Sequence, residues 1–109
     1  MSKYNAHRTE IDGIVFDSKK EANRYCELKL LERAGEITDL RRQVRYEINQ
    51  PYEIAGKKIR GIYYIADFAY YDNKLGEPIV EDVKGVRTDV YKIKKKLFES
   101  KYKIQIKEV

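Results

Sequence analysis

A chain of 109 residues that is 38% charged has room for one domain with a modest core, and it holds no apolar run long enough to span a membrane. Its net charge of +5 favours a polyanionic partner, nucleic acid first, if the basic surplus is segregated from the plentiful acids. A single cysteine, Cys26, excludes an intrachain disulfide and a cysteine-built zinc site.

The chain opens with a polar stretch, Ser2 to Arg8, without a signal-peptide pattern, so a cytoplasmic protein is expected. His7, the only histidine, falls in this stretch and reads as a surface residue. Thr9 to Phe16 reads as a small hairpin around the Asp12-Gly13 turn. A long helix follows, capped by Ser18, with Glu21 in the third helical position and Gly35 as its stop. Its residues Ala22, Tyr25, Cys26, Leu28, Leu30 and Leu31 cover most of its circumference, so it should pack on more than one neighbour. Ile37 to Ile48 reads as a strand, broken by Asn49-Gln50-Pro51. Tyr52 to Lys58 reads as a hairpin arm with its turn, and Ile59 to Tyr71 as a second long strand. Asp72 to Pro78 is a turn and Ile79 to Lys84 a third strand. Thr88 caps a second helix running to about Ser100, whose apolar face is Val90, Ile93, Leu97 and Phe98. Tyr102 to Val109 alternates as a final strand, with the second helix as the crossover that makes it parallel to an earlier one. The expected fold is a single α/β (α+β) domain over residues 1–109, a mixed central sheet flanked by helices.

Two of the strands carry acids where a strand should be apolar. Tyr63-Tyr64-Ile65-Ala66-Asp67-Phe68-Ala69-Tyr70 contains one acid, Asp67. In Ile79-Val80-Glu81-Asp82-Val83-Lys84, alternation puts Val80, Asp82 and Lys84 on one face and Ile79, Glu81 and Val83 on the other. Glu81 is then a surface residue or the partner of a base; a shift of one residue in phase would exchange Glu81 and Asp82. Adjacent strands that bring Asp67 and Asp82 together place two carboxylates side by side, a Coulombic cost that a hard divalent cation removes. Beside them, Lys84 can stabilise charge on a phosphate or orient a water. For Glu21 the residues alone favour the helix cap, and Gln43 can face either solvent or the site.

The order and spacing of Glu21, Asp67 and Asp82-Val83-Lys84 resemble the PD-(D/E)XK nuclease superfamily, whose core runs helix, three strands, helix, strand. The residue before Asp67 is Ala66 rather than proline, a departure shared by many members. Phe16-Asp17-Ser18-Lys19-Lys20-Glu21-Ala22, Leu31-Glu32-Arg33-Ala34-Gly35-Glu36-Ile37, Tyr64-Ile65-Ala66-Asp67-Phe68 and Glu81-Asp82-Val83-Lys84-Gly85 are similar to small phage and prophage endonucleases, some called phage Holliday junction resolvases. The resemblance spans nearly the whole chain. It implies a restriction-endonuclease-like αβββαβ core and a Mg²⁺-dependent DNA endonuclease, with Mn²⁺ able to substitute. It also implies a phage or prophage origin and a role in DNA recombination inside a bacterial host. Asp67, Asp82, the backbone carbonyl of Val83 and Glu21 would hold the metal, and Lys84 would complete the catalytic set. Lys19, Lys20, Arg41, Arg42, Gln43, Arg87, Lys94 and Lys95, with Lys92 and Lys96 near them, are the candidates for DNA contact. Lys94 falls between Val90 and Phe98 on a helical wheel, so it must snorkel or serve the site. Symmetric cuts at a four-way junction need two sites, so a twofold homodimer is expected. A DNA-binding module without cleavage and a small interaction protein that uses its tyrosines are the other readings.

Overall fold

Asp12 and Gly13 both adopt left-handed backbone, at φ 53° and 79°, the combination that a tight two-residue hairpin turn needs. They join β1 (Thr9–Ile11) to β2 (Ile14–Phe16). The computed structural model describes residues 8–83 and 87–109, so His7 and Lys84 lie outside the described residues. Next comes α1 (Lys19–Arg33), where the Glu21 amide donates to the Ser18 hydroxyl at 3.1 Å. Ala22, Tyr25 and Leu28 are buried in one cluster with Phe16, Ile37, Phe68 and Tyr70. Leu30, expected to share in the packing, is exposed.

The long strands are β3 (Ile37–Asn49) and β6 (Ile62–Asp72), with the short pair β4 (Tyr52–Ile54) and β5 (Lys57–Ile59) between them. Then come β7 (Glu77–Asp82), α2 (Asp89–Tyr102) and β8 (Ile106–Glu108). The main sheet has the order β3-β6-β7-β8, antiparallel except for the parallel β7–β8 pair that α2 connects. Ile79 packs in the α1 cluster and its neighbour Val80 in a second cluster with Tyr91 and Phe98 of α2. Successive strand residues face opposite ways, so the two helices lie on opposite faces of a mixed sheet. The α/β reading of the sequence therefore holds.

Boundaries and faces differ from the reading of the sequence in several places. The strand expected from Ile59 to Tyr71 is divided, because Arg60 and Gly61 turn the chain between β5 and β6. A Cβ on Gly61 would lie 2.6 Å from the Asn49 carbonyl oxygen, so only glycine lets the two chains approach here. The final strand is short because α2 continues through Tyr102. That ring stacks on Phe98 at 5.0 Å, and its hydroxyl donates to the Glu47 carbonyl at 2.8 Å. The face of α2 is also rotated from expectation. Tyr91 and Phe98 are buried, whereas Val90, Ile93 and Leu97 are exposed. The aromatic pair buries more surface than the aliphatic row and wins the contact with the sheet. Lys94 is half-buried beside it.

A further departure lies inside the sheet. Residues 64, 66, 68 and 70 of a regular strand share one face. Here Tyr64 and Ala66 pack in the α2 cluster, whereas Phe68 and Tyr70 pack in the α1 cluster. β3 does the same: Leu40 joins the α1 cluster and Tyr46 and Ile48 the α2 cluster. Both strands exchange faces at Gln43 and Asp67, which would stand opposite each other and are the one step missing between the pairs Arg42↔Phe68 and Val44↔Ala66. Gln43 has a φ of 51°, a left-handed conformation that supplies the twist.

Glu81 is fully buried, and the base it needs comes from α1. Arg24 donates through Nε at 2.8 Å and Nη2 at 2.6 Å, and the Tyr70 hydroxyl adds a third donor. The pairing with a base expected for Glu81 is thus found, in the interior rather than at the surface. Arg24→Ala strands this carboxylate and should cost about 3–5 kcal/mol in urea unfolding. Arg24→Lys, which loses the two-pronged geometry, should fall between it and the parent.

Candidate active site

Three elements meet at the point where the strands exchange faces. The first turn of α1 brings Glu21, 9% exposed, over β3. Gln43, turned out of the strand by its left-handed backbone, donates from one nitrogen to Glu21 Oε2 and to Asp67 Oδ1, at 3.2 Å each. The other Asp67 oxygen accepts the Val83 amide at 2.8 Å, which ties β6 to the end of β7. Arg42 Nη2 lies 3.8 Å from Glu21 Oε2, with its guanidinium 4.4 Å above the Phe16 ring. Glu21 thus fills only half of a capping box: its amide meets Ser18, and its carboxylate reaches the site.

The electrostatics follow from this crowding. Burial, and next the Asp67 carboxylate, raise the Glu21 carboxyl to about 7, against the pull of Arg42. Two carboxylates share one amide nitrogen between them. Such a pair of hard oxygen donors, one of them reluctant to ionise, fits a divalent cation or a proton. Asp82 is 1% exposed and turns to the α2 face, where the Tyr64 hydroxyl donates to it. Burial, followed by this bond, pushes the Tyr64 phenol well above its ordinary range.

Of the residues singled out in the sequence, Glu21, Gln43, Asp67 and Arg42 come together, and Val83 joins them through its amide. Asp82 is the chain neighbour of Val83 and has a separate partner. The acids that share a hydrogen-bond donor are Glu21 and Asp67. The basic candidates divide. Lys19 and Lys20 are exposed on the first turn of α1, and Lys92 and Lys96 are exposed on α2. Arg41 lies 3.4 Å from Asp39, Arg87 3.1 Å from Glu108 and Lys95 3.2 Å from Glu99, so each has an acid of its own. Tyr64 and Arg24 were not found from the sequence. A hydroxyl in an apolar strand carries no local sign of the acid it meets, and Arg24 looks like any base on a helix surface.

The raised Glu21 carboxyl gives a pH dependence with a definite sign. Below about pH 4.5 the folded and unfolded chains both keep this proton. From there to about 7 the unfolded chain releases it and the folded chain holds it, so stability falls as pH rises. Glu21→Gln removes the effect. In metal-free buffer its melting temperature should match the parent's at the acid end, gain on it through this window, and keep a constant lead above it. Thermal unfolding followed by circular dichroism across the range checks this, and a lead that does not change with pH would contradict it.

No curated protein and no solved structure matches this chain. A protein family does: residues 1–108 match the family described as "Protein of unknown function (DUF1064)", and the chain belongs to it.

Proposed function

We propose that this protein is a Mg²⁺-dependent DNA endonuclease, a structure-selective enzyme of the phage Holliday junction resolvase kind. The observation that carries the reading is the Glu21–Gln43–Asp67 cluster. There, two acids from different elements converge and one of them is raised to about 7. Perturbed acids held by a specific charge partner in this way are a mark of functional sites. The resemblance of Asp82-Val83-Lys84 and of the order of elements to PD-(D/E)XK nucleases, and the net charge of +5, point the same way.

Water adds to phosphorus, one P–O ester bond breaks, and the leaving oxygen takes a proton to give a phosphate monoester and a free hydroxyl. A bound Mg²⁺ would supply activation of that water and charge neutralisation at the phosphate. Glu21 and Asp67 would provide its oxygen donors, together with Asp82, the chain neighbour of the Val83 whose amide binds Asp67. Gln43 spaces the two acids, and the Val83 amide fixes the angle of Asp67. Arg42 offsets the negative charge on Glu21 when the phosphate approaches. Lys84 supplies a fixed positive charge at the phosphate.

Wild-type protein incubated with Mg²⁺ and labelled duplex, nicked and four-way DNAs should cleave at least one of them. Glu21→Gln, Asp67→Asn, Asp82→Asn and Lys84→Ala should each lose about a hundredfold or more in rate. Asp67→Asn should bind DNA as well as the parent, or more tightly, without Mg²⁺, since it removes a charge that repels phosphate. Binding without cleavage by the wild type across the whole panel would replace this reading with a DNA-binding module. For a junction enzyme, sedimentation should also give a homodimer, the assembly that two symmetric cuts require.

A further inference from the structure

We infer that the β4–β5 hairpin is a DNA-gripping arm that enters the major groove of the duplex beside the scissile phosphate. The inference rests on the nuclease reading above and names where its substrate lies. β4 and β5 pair with each other and with no other strand among the described residues. They leave the main sheet where β3 ends and β6 begins. The register Tyr52↔Ile59, Glu53↔Lys58 and Ile54↔Lys57 puts Tyr52, Ile54, Lys57 and Ile59 on one face of the ribbon. Tyr52 is 52% and Ile54 61% exposed, so this apolar face is uncovered. A two-stranded ribbon is barely stable alone. Its root is closed instead, since a Cβ on Gly61 would meet the Asn49 carbonyl and Pro51, and this tight seam sets the direction of the arm.

Charge identifies the occupant. Lys57, Lys58 and Arg60 are exposed on the arm with Glu53 as its one acid. By contrast, Arg87 and Lys95 are matched to acids of their own. The surface between site and arm continues the pattern. Tyr64 and Ala66 face α2, so Tyr63 and Ile65 face the other way, beyond the first turn of α1. Ile65 is exposed, and the Arg45 guanidinium lies 3.8 Å above the Tyr63 ring, a flat cationic platform. From Asp67 to Ile62 at the root of the arm is about 17 Å of strand, close to half a turn of B-DNA, whose full turn is about 34 Å. The major groove accepts a two-stranded ribbon. A duplex phosphate at Asp67 therefore places the next stretch of groove at the arm.

The test is binding of a fluorescein-labelled duplex to full-length protein without Mg²⁺, by anisotropy over a range of salt. Lys57→Ala/Lys58→Ala should weaken binding about tenfold at 0.1 M salt and lower the slope of log K against log salt by about two. The melting temperature should stay unchanged, since both side chains are exposed. Lys29→Ala/Lys74→Ala removes the same charge elsewhere and should bind within twofold of the parent. If the wild type binds and the arm variant binds equally well, the arm inference fails while the nuclease reading stands. If the wild type binds no DNA, the nuclease reading fails and takes the arm with it. If Tyr52→Ala/Ile54→Ala dissociates a dimer in sedimentation and leaves DNA affinity intact, the arm holds a second copy of the chain and the inference is overturned.

Discussion

A carboxylate with no solvent around it has to be answered by the rest of the protein, and Glu81 is such a group. The answer comes from a helix that is otherwise separated from β7 by most of the sequence. Arg24 grips Glu81 with two nitrogens, and this fixes both the position of α1 on the sheet and its rotation. Glu21 lies about one turn before Arg24 on the same helix. Once Arg24 is seated, the Glu21 carboxylate is delivered over β3, where Gln43 meets it. An interior ion pair gains little net stability over apolar packing, and its use here is to specify one arrangement.

The second constraint is the exchange of faces at Gln43 and Asp67. A continuous strand would have kept Asp67 on the face opposite Ala66 and Phe68, locked in a ladder. The left-handed residue at 43 opens the ladder at that step and frees both side chains to turn toward Glu21. Strain of this kind costs on the order of 1 kcal/mol or more. It coincides with the place where two acids gather.

Much of this was legible in the residues, for local reasons. Asp12-Gly13, Ser18 and Thr88 announce a turn and two caps through chemistry confined to a few neighbours, and all three behave so. The order of strands and helices follows from periodicity. Glu21 and Asp67 were matched through a resemblance, and the structure brings them to one amide. What was not legible depends on contacts distant in sequence. Nothing in Ala66-Asp67-Phe68 signals that the strand turns over there. The row Val90, Ile93 and Leu97 looked like the buried face of α2, because the stack of Tyr46, Tyr64 and Tyr102 around Phe98 exists only once the sheet is assembled. The Tyr64 hydroxyl that meets Asp82 was equally hidden, since only the turnover sends Tyr64 to the α2 face.

The turnover also decides how the molecule holds together as a whole. Among the described residues it divides most of the buried apolar side chains into two small clusters, one under each helix. Each long strand serves one cluster with its first half and the other with its second. Such clusters are natural units of local opening, able to loosen at different free energies. The seam between them runs through Gln43 and Asp67, while Glu21 is anchored in one unit and Tyr64 in the other. The Gln43 amide, bound to Glu21 and to Asp67 at 3.2 Å each, is therefore a clasp that couples the opening of one unit to that of the other.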